Sequence, residues 1–237
     1  VTFQTRDGGL DYVWATSWGV STRLIGALIM THSDDRGLVL PPKLASTEVV
    51  IIPIFKNKNK TEVIGYAHGL FDRLKSEFSV EINDDEQNSP GWKFAEAELQ
   101  GIPLRIEAGP RDMSNKQAVL VRRDTGEKLT VPVQEVEAKI KELLEDIQNR
   151  LFYRALTFRK QNTHQINDYN TFRDFFKTGE GFVESGWCGN PECETRIKNE
   201  TKATIRVLPF GRNEDEKGSC IFCGEKAKEL AVFAKAY

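Results

Sequence analysis

All four cysteines of this 237-residue chain fall between positions 188 and 223, as a C-x4-C pair, Cys188 and Cys193, and a C-x2-C pair, Cys220 and Cys223. Gly189 and Pro191 sit inside the first loop and Gly224 follows the second. Loops this short let two thiolates converge on one ion, and two of them supply four sulfurs for a tetrahedral site. Two disulfides or one redox pair are the other uses of such a set. The first residues, Val1 to Arg6, show no basic-then-apolar leader pattern, which argues for a reducing compartment where structural disulfides are rare. The expected location is therefore cytoplasmic. Four thiolates with no open position suit structural Zn2+ ahead of iron. An all-sulfur shell leaves no bound water to activate, so the expected role of the metal is structural and not catalytic.

Hydrophobic residues make up 39% of the chain and charged residues 29%, with a net charge of -2. No apolar run approaches the roughly 18 residues that a membrane span needs, so no membrane partner is expected. A nucleic-acid partner would have to be met by a local basic face, because the whole surface is not positive. The length suits two complete units and a partial one. The start at Val1, without an initiator Met, reads as a cut.

Three zones follow from the patterning, with boundaries expected near residues 45 and 150. In residues 1–45, a β-prone stretch at 10–18 leads through Gly19 to Arg23 into a helical run at 24–30. Ser21 or Thr22 is placed to cap that helix, with Arg23 in its first turn, where free amides and the helix dipole favour an anion. Pro41 and Pro42 then force an extended crossing. Residues 46–150 alternate strand and helix signals: strands at 48–55, 79–82, 103–108, 117–122 and 129–133, helices at 61–78 and from the Ser89-Pro90 cap to the Gly101 stop, and a closing helix with Val136, Ile140, Leu143, Leu144, Ile147 and Leu151 on one face. This order predicts an α/β domain with a mixed five-stranded sheet. Residues 109–112 read as a turn, and Asp124 to Glu127 as a hairpin connection. Residues 151–237 read as a small α+β domain around the cysteines.

Several segments, taken in order, resemble the carboxyl-terminal part of a class II prolyl-tRNA synthetase of the archaeal and eukaryotic type. Thr16-Ser17-Trp18-Gly19-Val20-Ser21-Thr22-Arg23, Met30 to Asp35 and Gly37 to Pro42 are similar to the family's third catalytic motif and its exit. Ser89 to Phe94, Gly101 to Glu107, Gly109 to Asp112 and Arg122 to Lys128 are similar to its anticodon-binding domain, and the four cysteines with Ala236-Tyr237 to its zinc-binding end. The resemblance implies ATP-dependent activation of proline, with Mg2+, and transfer to proline tRNA by a homodimer joined through an upstream catalytic domain. The first two catalytic motifs would then lie upstream of residue 1, and this piece alone would be inactive.

Position by position, the resemblance implies that Arg23 holds ATP and is catalytic, and that Ser21 also binds ATP. Ser17, Trp18 and Gly19 would line the proline pocket. Glu107, Arg111, Arg122, Arg123 and Lys128 would meet anticodon bases or phosphates, Glu107 by accepting from a guanine edge. Between residues 100 and 130 there are six Lys and Arg against four Asp and Glu, a modest basic bias that an ordinary solvated sheet edge would also show. Phe94 and Trp92 suit base stacking or burial, with burial expected for at least one. The apolar run 230–233 makes an ordered tail credible, and the carboxylate of Tyr237 would reach toward the active site. His32, His68 and His164 stand in no hydrolytic arrangement and carry no catalytic expectation. The competing functions are a non-catalytic tRNA-binding module and a zinc scaffold derived from a synthetase, neither of which needs the Ser17 to Arg23 segment for catalysis.

Overall fold

A computed structural model of the chain describes residues 1–211, 213 and 217–235, and the contacts divide it into two compact units, Val1–Leu151 and Phe152–Tyr237. The first unit opens with an antiparallel hairpin of β1 (Thr2–Gln4) and β2 (Leu10–Tyr12), followed after an irregular stretch by helix α1 (Arg23–His32). The strand expected at 10–18 is thus cut to three residues. Its partner β1 begins at Thr2, the last backbone bond of the pair runs from Val13 N–H to Val1 C=O at 3.2 Å, and residues 14–18 have no strand left to pair with. Thr22 stands at the helix N-cap, but no side chain accepts from a first-turn amide.

The rest of the unit is one α/β layer structure. It runs through β3 (Val49–Pro53), α2 (Lys60–Leu74), β4 (Val80–Ile82), α3 (Pro90–Gln100), β5 (Leu104–Ala108), α4 (Pro110–Asn115), β6 (Gln117–Arg122), β7 (Lys128–Pro132) and α5 (Val136–Gln161). The sheet order is β4-β3-β5-β6-β7, with β3 parallel to β4 and β5 and the remaining pairs antiparallel, which is the mixed five-stranded sheet the patterning predicts. Every residue of β3 and β5 is buried, as central strands covered on both faces must be. One face packs Val49, Ile51, Leu104, Ile106 and Leu120 against Ala67, Leu70 and Leu74 of α2 and the predicted apolar stripe of α5. On the other face Val50 and Ile52 pack against Ala97 of α3, with Ile102 and Phe94.

Local chemistry sets the ends of α3 as the sequence indicates. The Ser89 hydroxyl accepts from Trp92 N–H at 3.3 Å, Pro90 fills the first turn, and Gly101 takes the left-handed conformation at φ 74°. The turn expected at 109–112 is instead the start of α4, where Asp112 Oδ2 accepts from Gly109 N–H at 2.9 Å. Six residues give too little periodicity to announce a helix. The segment after α1 is pinned to the end of α3. Leu38 N–H donates to Leu99 C=O at 3.0 Å, and a Cβ at Gly101 would stand 2.6 Å from that of Leu38. Arg123 Nη1 and Nη2 clasp Asp34 at 2.9 and 2.6 Å.

The second unit holds a four-stranded sheet in the order β10-β11-β9-β8, from β8 (Thr163–Gln165), β9 (Phe182–Trp187), β10 (Ala203–Val207) and β11 (Glu229–Lys235), with helices α6 (Tyr169–Thr178) and α7 (Pro191–Thr201). Phe172, Phe176, Val183, Ile197, Ala203, Ala231 and Phe233 form its core, with Phe172 and Phe233 meeting edge to face at 5.2 Å. The apolar run 230–233 is therefore the middle of β11, between two partners. Among the described residues no helix is long and apolar enough to cross a membrane.

Two expectations test this packing. Gly101→Ala combines a positive φ with a close backbone contact and should cost about 1–3 kcal/mol in denaturant unfolding. The guanidinium of Arg123 holds the Asp34 carboxyl well below its ordinary 3.8, so its contribution is full above about pH 4 and is lost as pH falls through the depressed value. Asp34→Asn should therefore destabilise at neutral pH, with the difference from the wild type closing in acid melts.

Candidate nucleic-acid interface and metal centre

Alternation along β5 sends Leu104, Ile106 and Ala108 into the core with α2 and α5, and turns Arg105 and Glu107 to the opposite face. There α3 covers only the β3 and β5 half. Across the open half, Glu107 pairs with Val119 and Val119 with Thr130, while Arg105 pairs with Val121 and Val121 with Lys128. Thr130 and Lys128 are exposed, Val119 is half-buried and Val121, beside Arg105, is buried. The covered edge of the sheet thus meets an open platform at the Arg105 and Glu107 side chains.

These two form a buried pair. Arg105 Nε and Nη2 donate to Glu107 Oε1 at 3.2 and 3.0 Å, and Nη1 donates to Glu98 Oε1 at 3.3 Å. The guanidinium carbon lies 4.4 Å from the centre of the Phe94 ring, a cation–π arrangement. Lys128 Nζ donates to both Glu107 oxygens at 2.9 Å. The side chains of Arg105 and Glu107 are 8% and 10% exposed, that of Lys128 55%. Phe94 is therefore occupied by packing and by Arg105, whereas Trp92 is 49% exposed. Arg111, in the first turn of α4, is exposed and makes no side-chain bond among the described residues.

Arg122 and Arg123, expected to meet anticodon bases or phosphates, are paired within the protein. Arg122 is bidentate on Asp124 at 2.9 and 3.0 Å and reaches Asp146 at 2.6 Å. Arg123 donates to Glu98 C=O at 2.9 Å besides clasping Asp34. Both residues are buried, and their donors are committed to fixing the β6–β7 turn and the segment before β3. Lys93 is a residue that the sequence reading missed. It is 2% exposed, while Trp92 and Leu99 on the same helix stand out. Its ammonium donates to Asn83 C=O at 3.0 Å and to Asp85 C=O, holding the 83–89 loop, and burial pushes its pKa below the ordinary lysine value. Its place four residues before Ala97 on the α3 face was the available signal. His68, exposed on α2, meets Asp84 at 3.1 Å, which fits a polar-face histidine.

The residues expected to bind ATP and proline are not gathered into a cavity. Residues 6–27 are all exposed, including Ser17, Gly19, Ser21 and Arg23, and Trp18 is 93% exposed. Helix α1 has no buried residue although Leu24, Ile25, Ile29 and Met30 are apolar. Ala236 and Tyr237 lie outside the described residues.

The cysteines do converge. Their sulfurs all lie within 4.8 Å of one another, Cys188 and Cys193 at 3.6 Å, and all four are free thiols. Sulfurs about 2.3 Å from a shared ion at tetrahedral corners would be about 3.8 Å apart, so the set is placed to hold a metal and not to form two disulfides. Cys188 follows β9, and Cys193 sits in the first turn of α7 behind the Asn190 cap, whose side chain accepts from Glu192 N–H at 2.9 Å. Burial of the Cys193 thiol, together with the adjacent sulfurs, pushes its pKa far up. Burial would also raise Cys220, but backbone amides of Cys223, Phe222 and Cys188 outweigh it and bring it down to about 7.

Comparison with known proteins now adds to this geometry. Residues 48–143 match the anticodon-binding domain model, and residues 169–237 match the model of the prolyl-tRNA synthetase C-terminal domain. A proline–tRNA ligase of Chlorobium phaeobacteroides (strain DSM 266 / SMG 266 / 2430) is 55% identical over 99% of the chain, one of Chloroherpeton thalassium 53% and one of Chlorobaculum tepidum 54%, each also over 99% of the chain. The chain spans about half the length of these curated relatives, 50% in each. The resemblance read from its motifs to the carboxyl-terminal part of a prolyl-tRNA synthetase is thereby borne out.

The cysteine site predicts one tetrahedral thiolate-bound ion per chain. Co2+ added to the metal-free chain should give thiolate charge-transfer and tetrahedral d–d bands that saturate at one equivalent and fade as acid protonates the thiols. Cys193→Ser should abolish the four-sulfur spectrum, and saturation at two equivalents would contradict a single closed site.

Proposed function

We propose that this chain is the tRNA-reading portion of a proline–tRNA ligase, an ATP-dependent enzyme that activates proline to prolyl-adenylate and transfers it to proline tRNA. The observation that carries the reading is the agreement of relatives 53–55% identical across 99% of the chain with a sheet platform built around Glu107. Residues 46–150 would form the anticodon-binding domain, 151–237 the zinc-binding domain, and 1–45 the end of the catalytic domain. The whole enzyme would act in the cytoplasm as a homodimer joined through catalytic sequence outside this chain. No such role needs a membrane.

In this reading Glu107 accepts from a guanine edge, and Arg111 and Lys128 meet the anticodon backbone or its bases. Arg122 and Arg123 act at one remove, holding the β6–β7 turn and the 34–40 segment that frame the platform. Cys188, Cys193, Cys220 and Cys223 hold Zn2+, which ties the α7 start to the 220–223 turn and supplies no reacting group. Arg23 and Ser21 would bind ATP, whose Mg2+ accompanies the phosphates, and Ser17, Trp18 and Gly19 would line the proline pocket. A permanently charged planar guanidinium suits both stacking on adenine and offsetting charge on the phosphate that proline attacks as pyrophosphate leaves. Exposed as they are, these residues take up that role only where further protein covers them.

The test compares binding of proline tRNA with that of other tRNAs by the 237-residue chain. A clear preference for proline tRNA is expected, and Arg111→Ala should weaken binding to every tRNA and reduce the slope of log affinity against log salt by about one. In the complete enzyme, Arg23→Ala should depress proline-dependent ATP–pyrophosphate exchange while leaving tRNA binding intact. Equal affinity for all tRNAs would favour a metal-bound scaffold instead.

A further inference from the structure

We infer that Lys128 is a placeholder: in the RNA-free protein its ammonium occupies the face of Glu107 that a guanine edge takes on binding, and the incoming base evicts it. This rests on the proposed reading of Glu107 as a base acceptor and adds to it what stands there beforehand. Glu107 Oε1 accepts from Arg105 and Lys128, whereas Oε2, among the described residues, accepts from Lys128 alone. A side chain this buried cannot leave an anionic oxygen without a donor except at a large cost. Some donor must therefore hold that position in every state of the protein.

The two cations on Glu107 differ in how firmly they are kept. Arg105 is anchored on both sides, by Glu98 and by the Phe94 ring, and is buried. Lys128 enters from strand β7 with more than half of its side chain in solvent; among the described residues its ammonium has no hydrogen-bond acceptor besides Glu107, and it stands 5.9 Å from the Phe94 ring centre, farther than the 4.4 Å of Arg105. A partly exposed lysine pair is weak and easily exchanged, and the flexible stem lets the ammonium swing away while the strand stays in register. Of the four RNA bases, guanine alone carries two adjacent donors, N1–H and the N2 amino group, on one edge, and these match the two oxygens that Lys128 now bridges. The exchange replaces an ion pair with a neutral base. It leaves the Lys128 charge unpaired beside the RNA strand, where a phosphate takes it up. Reading the base and gripping the backbone are then one event.

The prediction is a salt dependence that varies with the base. A proline tRNA transcript and variants with each anticodon guanosine changed singly to adenosine are titrated with the chain across a salt series. With wild-type protein, one adenosine variant should bind more weakly and show a slope shallower by up to about one ion. In Lys128→Met the slope gap should close, and the guanosine-to-adenosine affinity ratio at that position should rise about two- to fivefold, since no competitor is displaced. Long-range attraction by the lysine affects both RNAs and cancels in the ratio, while the phosphate contact it makes only in the guanosine complex is lost with it and limits the rise. Lys128→Gln, read alongside, should behave as the Met variant, and matching melting curves confirm that both fold. A slope gap that persists on removing the lysine overturns the placeholder. Glu107→Gln separates the two levels: if guanosine preference survives it, base reading by Glu107 is itself wrong and the inference falls with it.

Discussion

The buried pair of Arg105 and Glu107 is the constraint around which the first unit is arranged. Two opposite charges on the same face of the central strand are costly to take from water, and the surrounding elements are placed to offset that cost. Helix α3 supplies Glu98 and the Phe94 ring, and β7 supplies Lys128. Replacing either member with an apolar residue would strand the other. The pair also marks where α3 stops covering the sheet, so the same charges that need partners stand at the margin of the platform. Under the proposed reading, function and stability would meet at this one carboxylate, which already needs donors.

A second set of charges fixes the frame. Arg122 and Arg123 sit side by side at the end of β6 and, because successive residues of a strand face opposite ways, reach to opposite sides. One guanidinium gathers Asp124 and Asp146, the other Asp34 and the Leu99-adjacent carbonyl of Glu98. The segment that joins α1 to β3 is held by this second arginine and by the close contact at Gly37 and Gly101. A basic dipeptide beside a turn thus does internal work, fixing chain segments far apart in sequence.

Much of the fold was legible because it rests on local periodicity. The apolar stripe from Val136 to Leu151, the alternation of β5, the Ser89-Pro90 cap and the Gly101 stop are read within a few residues and are found as expected. Four cysteines in two short loops likewise announce their convergence. What escaped depends on partners distant in sequence. Arg122 reaches Asp146, on a helix 24 residues later. Helical spacing puts Lys93 on the buried face of α3, but the carbonyls of Asn83 and Asp85 that accept from it are set by a loop the pattern does not describe. The length of β2 was set by where β1 begins. Ser17 to Arg23 stand exposed, and no local pattern discloses that.

The two cysteine loops are joined by backbone before any ion is considered. Ile221 N–H donates to Gly186 C=O at 2.9 Å, Lys228 N–H to Trp187 C=O at 2.9 Å, and Cys220 N–H to Glu225 C=O at 2.7 Å. A side chain at Gly186 would collide with the carbonyls of Lys217 and Ser219, so β9 and the second loop lie as near as main chains can. A cage assembled this way resembles a lock whose tumblers are already aligned. An ion bound there would draw on main-chain contacts that β9 and the second loop already make, so the sulfurs would not have to hold the loops together unaided.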